Sequence, residues 1–115
     1  MAVRKTLAVD FDGTIADSKY PDTGTPKPGV AEALKKLQEK FIIAIFSCRT
    51  NKSLSHDTHH EKALIEKFLR KHKIPFDYVD DGSTGKIVAE YYIDDRAVRF
   101  TDNWPELALA LRGKS

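Results

Sequence analysis

The sequence predicts an α/β fold: a three-layer α/β/α sandwich around a mainly parallel, Rossmann-like sheet, built as one domain over residues 1–115. Three observations carry that prediction. Short apolar runs alternate with amphipathic stretches, the pattern of strands joined by crossover helices. Phe41-Ile42-Ile43-Ala44-Ile45-Phe46 is apolar throughout, as expected of a strand covered on both faces. Three strand ends carry polar clusters, Asp10-Phe11-Asp12, Ser47-Cys48-Arg49 and Asp94-Asp95. In open parallel sheets, ligands bind outside the carboxyl ends of the strands.

The elements follow in order. Thr6-Leu7-Ala8-Val9 opens a first strand over 6–11. Residues 17–29 hold Pro21, Gly24, Pro26, Pro28 and Gly29 and read as a loop. Pro28 suits the start of a helix from about Gly29 to Lys40, with Val30, Ala33, Leu34 and Leu37 on its apolar face. Residues 41–46 form the second strand, and residues 47–55 are polar loop. Asp57 or Thr58 caps a second helix reaching about His72, with Leu64, Ile65, Phe68 and Leu69 buried. Phe76 to Val79 is a third strand, followed by a turn-rich loop over 80–85. Lys86 to Tyr91 is expected to make a helical turn, Tyr91 to Ile93 a fourth strand and Val98 to Phe100 an edge strand. Trp104 to Leu111 closes the chain as a helix with Trp104, Leu107, Ala108 and Leu111 inward.

Composition narrows the function. Charged residues are 31% and hydrophobic residues 41%, which suits a folded domain rather than a disordered one. A formal charge of +2 gives no argument for nucleic acid or a membrane surface. The single cysteine, Cys48, excludes an internal disulfide and fits a reducing compartment. No stretch approaches a membrane span, and Asp10 cuts the first apolar run too early for a signal peptide. The expectation is a cytoplasmic protein.

Asp10-Phe11-Asp12-Gly13-Thr14 is the most informative segment. Residues i and i+2 of a strand point the same way, so both acids can address one site. Gly13 permits a tight turn and close approach to an anion, and Thr14 adds a hydroxyl donor. Acids beside such a turn suggest a site holding a metal and a phosphate together, because the metal relieves their mutual repulsion. A bare surface turn of Asp and Gly is the plain alternative.

With Ser47, Lys86 and Asp94-Asp95 in the same order, the chain resembles the haloacid dehalogenase (HAD) superfamily of phosphohydrolases over nearly its whole length. That resemblance implies a Mg²⁺-dependent phosphomonoesterase with an aspartyl-phosphate intermediate. It makes Asp10 the nucleophile and Asp12 the acid and then the base. Lys86 would neutralise Asp10 and the phosphoryl oxygens; Ser47 and the backbone amides near Gly13 would donate to those oxygens, with Thr14 among the phosphate-binding residues. Mg²⁺ would sit on Asp10, the Asp12 carbonyl, Asp94 and waters, with Asp95 direct or through water. Arg49 is either a surface charge or a fork onto a substrate phosphate or carboxylate. Cys48 is assigned to packing.

Neither the gap at 15–28 nor that at 74–85 can house a cap domain, so the resemblance is to capless members. Within them the chain is similar to small phosphatases of capsule or lipopolysaccharide sugar biosynthesis, through Pro28-Gly29-Val30, Ser47-Cys48-Arg49 and Tyr92-Ile93-Asp94-Asp95-Arg96-Ala97. The implied substrate is a small phosphorylated metabolite such as a sugar phosphate. An open site suits a large substrate or cover borrowed from a homo-oligomer. A phosphatase of nucleic-acid ends is the alternative, without support from a dense basic stripe. A non-catalytic binding protein is another. His56, His59 and His60 lack a strong zinc spacing and read as the exposed start of the second helix, or as lining the substrate entrance.

Overall fold

A computed structural model describes residues 3–54 and 57–114. It shows an α/β fold with a parallel four-stranded sheet and three helices. Strand β1 (Lys5–Asp10) lies at the centre beside β4 (Phe41–Phe46), in register from Lys5 opposite Phe41 to Asp10 opposite Phe46. Beyond β4 lies β5 (Tyr78–Val79), and on the other side of β1 lies β6 (Tyr91–Ile93), all parallel. The sheet order is β5-β4-β1-β6.

Alternation along the strands sorts the sheet into two faces. Leu7, Val9, Ile43 and Ile45 join Leu34 of α1 (Val30–Leu37) and Ile65, Phe68 and Leu69 of α2 (Thr58–Lys71) in one buried cluster. Handedness explains this. The crossovers β1-α1-β4 and β4-α2-β5 run in the same direction along the sheet, so right-handed connections put both helices on one face. The return from β5 to β6 must cross the opposite face. There the sheet offers small Ala8 and Ala44, with Tyr78 and Tyr92 exposed on the flanking strands.

Several expected elements differ. Residues 17–29 contain an antiparallel hairpin, β2 (Ala16–Lys19) and β3 (Asp22–Pro26), with a cis Tyr20–Pro21 peptide at its tip. Proline and glycine concealed it, although Pro26 stands only at its end. Segment 47–55 contains a short 3-10 turn, Cys48–Thr50, capped by Ser47, whose Oγ accepts the Arg49 N–H at 3.1 Å. No helical turn forms at 86–91 and no strand at 98–100. The last helix, α3 (Trp104–Arg112), buries no residue: Trp104 is 70% exposed and Leu111 49%, against the expected inward face. Helical spacing was read correctly, but among the described residues the stripe stays largely uncovered, with Phe100 meeting Trp104 and Leu107 half-buried.

Candidate active site

The carboxyl edge of β1 turns sharply after Asp10. The Phe11 N–H donates to the Phe46 carbonyl, and the Phe11 carbonyl accepts from Thr14, Ile15 and Ala16. Phe11 itself is fully buried, edge-on to Phe68, which anchors the turn. Asp10 and Asp12 flank this buried residue in sequence and both line one cavity at the strand end.

Asp10 gathers with Asp94 and Asp95 from the end of β6, and the three carboxylates offer oxygens within 4.8 Å of one another. Burial, then the Asp94 charge, then Asp95 push the Asp10 carboxyl up to about 7 from 3.8. Gly13 makes this gathering possible. Its φ is +87°, and a side chain there would collide with the Asp95 carboxylate. Its N–H donates to the Ala16 carbonyl at 2.7 Å, and that of Thr14 to Phe11. These two amides are engaged within the turn; Gly13 admits Asp95, and Thr14 Oγ1 reaches Asp10 Oδ2 at a long 3.4 Å.

Asp12 has a different neighbour. Arg49 is the largest fully buried side chain, and all its N–H groups are engaged. Nε and Nη2 grip the two oxygens of Asp12 at 2.7 and 3.0 Å. Nη2 also reaches the Asp22 carbonyl at 2.6 Å, and Nη1 the Pro21 carbonyl at 2.9 Å and Glu61 at 3.4 Å. The guanidinium lies 4.9 Å from the Tyr20 ring centroid. Both sequence readings of Arg49, surface charge and substrate fork, give way to an internal clasp tying Asp12, the hairpin and α2 together. Burial opposes its charge, but the hydrogen bonds and charges of Asp12 and Glu61 hold its pKa above the ordinary value. Ser47 Oγ approaches Asp12 Oδ2 at 3.5 Å as well as capping the turn.

Lys86 does not meet Asp10. Its Nζ stands 4.7 Å from the Tyr92 ring centroid, and no ion pair joins it to an acid among the described residues. The expected pairing with Asp10 is not formed among the described residues; residues 80–90 are irregular backbone, and the Tyr92 hydroxyl donates to the Ile87 carbonyl.

Two cavities adjoin here. One of about 370 Å³ is lined by Asp10, Asp12, Asp94, Asp95, Tyr20 and Arg96. The other, about 620 Å³, holds Lys86, Phe46, Ile87, Tyr92 and Ala97; Ser47, Cys48 and Asp94 line both. Cys48 is exposed at this junction rather than packed.

No family model and no curated protein matches this chain. Among solved structures it is similar to a conserved protein coded by a locus of Bacteroides thetaiotaomicron, at 27% identity and a TM-score of 0.64. The match covers 98% of this chain and 93% of that one. The likeness thus extends over the whole fold, and that protein's description states no activity.

Sequence reasoning missed Glu61 and Arg96. Glu61 carried no signal beyond its place in the first turn of α2. Arg96 follows Asp94-Asp95 directly and is the cation nearest that acidic pair in sequence. His59 and His60 are exposed at the start of α2 and join no metal-like cluster among the described residues; His56 lies outside them. No helix among the described residues is long and apolar enough to cross a membrane.

Proposed function

We propose that this chain is a Mg²⁺-dependent phosphomonoesterase of the HAD type, without a cap, working through an aspartyl-phosphate on Asp10. The observation that carries the reading is the asymmetric pair on one strand end: Asp10 among acids, Asp12 on an arginine. Hard carboxylate oxygens from Asp10, Asp94 and Asp95 fit Mg²⁺, and a carboxyl driven up to about 7 by burial first and then by its acidic neighbours is one that a cation would return to its charged form. The chemistry that Mg²⁺ supplies when bound is neutralisation, letting a carboxylate approach a phosphoryl group.

In this reading Asp10 Oδ forms the bond to phosphorus while the ester P–O bond breaks. The leaving oxygen takes a proton through Asp12. Water then attacks phosphorus, gives its proton to Asp12 and frees Asp10 and phosphate. A phosphomonoester monoanion, with a second pKa of about 6, can bring the proton that passes through Asp12 to the leaving oxygen. Arg96 at the cavity wall and a Lys86 swung off Tyr92 bind the phosphoryl oxygens. The open cavities suit a small polar leaving group such as a sugar.

The test is turnover of a phosphomonoester panel with Mg²⁺, with chelator, and in Asp10→Asn. Loss of at least ~10³-fold in the variant, which stays folded, is expected, since removing a nucleophile from an acid–base unit costs at least that much. Activity in Asp10→Asn near that of the parent overturns the reading.

A further inference from the structure

Beside the acidic cluster, the cavity of about 620 Å³ is a built site rather than a gap between loops. The Asp80 N–H donates to the Ile45 carbonyl at 2.8 Å, which fixes the chain as it leaves β5. Two residues on, Gly82 has φ +76°, and a Cβ there would collide with the Thr50 carbonyl. The loop after β5 therefore lies directly against the 3-10 turn that follows β4. That turn is itself fixed, with Thr50 buried and its Oγ1 donating to the Ser47 carbonyl at 3.1 Å.

The loop and the turn each bring a polar group to this cavity. Asp80 is half-buried, and its Oδ2 accepts the Gly82 N–H at 3.2 Å. Its Oδ1 has no hydrogen bond among the described residues. Asn51 Oδ1 accepts the Ser53 N–H at 2.9 Å, and the Asn51 amide donors have no partner among the described residues. One free acceptor and one free donor suit hydroxyl groups, which do both. The apolar side is Ile87, Ala97 and the ring of Tyr92, whose hydroxyl is held on the Ile87 carbonyl. Lys86 Nζ now stands over that ring, 4.7 Å from its centroid. A Lys86 that swings to the phosphoryl oxygens bares the ring for a C–H surface, and such pairing of apolar walls with a few placed polar groups is how small-molecule sites fix orientation. Three charged residues line the cavity: Lys86, Asp94 and Asp80. With Lys86 on phosphate and Asp94 on the cation, Asp80 is the charge that the rest of the substrate meets.

Given the phosphatase reading, on which this inference rests, we propose that the cavity takes the alcohol half of the phosphoester and that Asp80 determines specificity, selecting alcohols with further hydroxyls and no negative charge. Asp80 Oδ1 and the Asn51 amide bind the hydroxyls, and Tyr92 supports the C–H face. A leaving group with a carboxylate meets the Asp80 charge with no cation left to offset it, so the site rejects as well as attracts.

Specificity constants with Mg²⁺ test this for glucose-6-phosphate, mannose-6-phosphate and ribose-5-phosphate against phosphoglycolate, in the parent and in Asp80→Asn. The amide oxygen still accepts the Gly82 N–H, which keeps the loop in place. The parent should prefer at least one polyol ester to phosphoglycolate by ~10-fold or more. Asp80→Asn should cut that preference at least ~10-fold, losing on the polyol ester and gaining on phosphoglycolate, since a hydrogen bond to a charged group is worth ~10- to 100-fold. A disturbed loop lowers both esters together and cannot produce the gain. A second readout needs no turnover. Cys48 is the single cysteine, is exposed and lines both cavities, so its alkylation by iodoacetamide reports occupancy. Free glucose, mannose or ribose should slow that alkylation in the parent, and Asp80→Asn should need at least ~10-fold more sugar for the same protection. Protection of this kind in a protein that hydrolyses no phosphoester would remove the phosphatase reading and leave a hydroxyl-selective site. Turnover whose preference survives Asp80→Asn, or a Cys48 that none of the three sugars protects, overturns the role of Asp80 and leaves the phosphatase reading standing.

Discussion

Asp10 and Asp12 leave one strand end two residues apart, and their surroundings differ in sign. Asp10 is half-buried beside Asp94 and Asp95, and burial first, then those charges, raise its carboxyl to about 7. Around Asp12 stands a buried guanidinium that fills both its oxygens. The first is an unbalanced site that an external cation can relieve. The second is balanced inside the protein and stiff. What separates them is their partners: Asp10 gathers with Asp94 and Asp95 at the end of β6, and Asp12 is held by Arg49 after β4, although both line one cavity. The lesson is that adjacent acids acquire different tasks when the fold supplies a cation to only one of them.

The largest expected effect breaks the balanced side. Arg49→Met preserves length and removes the charge, leaving Asp12 and Glu61 facing each other with two carbonyls unsatisfied. Removing one partner of a buried ion pair costs about 3–5 kcal/mol. The partial exposure of Asp12 and Glu61, 17% and 12%, points to the lower end. Urea denaturation measures it. Arg49→Lys should recover little, because an ammonium cannot serve both Asp12 oxygens and the hairpin carbonyls together. A loss below about 1 kcal/mol in Arg49→Met would mean that the clasp is not what holds the hairpin to α2.

Next comes the pH dependence of the unbalanced side. Without metal, folded Asp10 keeps its proton up to about pH 7, and unfolded Asp10 only up to about 4. Between these values the native state binds more protons, so stability contributed by Asp10 falls as pH rises and levels off above 7. Mg²⁺ should reverse the slope, since it favours the charged form. Melting temperatures from pH 4 to 8, with and without Mg²⁺, check both statements. Equal curves with and without the cation would separate Asp10 from metal binding.

Asp95→Asn sharpens the same contrast with a smaller effect. It removes a like charge and a hydrogen-bond partner that both raise Asp10. The metal-free protein should gain up to about 1 kcal/mol above about pH 7, where Asp10 is charged, because like-charge repulsion at an incompletely buried site is worth that order. The Mg²⁺-induced rise in melting temperature should shrink. A variant that is both less stable and unchanged in its Mg²⁺ response would contradict the acidic cluster as the metal-binding side.

How much of this was legible in the sequence varies with the range of the interaction involved. Strands β1 and β4 and helix α2 followed from apolar period and caps, since Asp57 does accept the His60 N–H. The convergence of Asp10 and Asp12 with Ser47 and Asp94 followed from strand ends in a parallel sheet. The hairpin did not, because Pro21, Gly24 and Pro26 signal a loop and give no pairing partner. The clasp was invisible for a stronger reason: no spacing rule connects residues 12, 49 and 61, which meet only through tertiary structure. For α3, periodicity identified the apolar stripe but could not say which surface covers it.

The smallest expected effects come from the two hydroxyls, one beside each acid. Ser47 caps the 3-10 turn that carries Arg49, with its oxygen 3.1 Å from the Arg49 N–H. Ser47→Ala should cost about 1 kcal/mol, the usual loss of a cap, and loosen the clasp at its base. Thr14 Oγ1 touches Asp10 at 3.4 Å, a length at which little of a hydrogen bond remains. Thr14→Val, similar in size and half-buried like the residue it replaces, should change stability by about 0.5 kcal/mol or less. Paired urea titrations rank the two. If Thr14→Val proved the more damaging, the Asp10 side would depend on an internal donor as the Asp12 side does, and the contrast between a site awaiting a cation and one already holding its own would lose its basis.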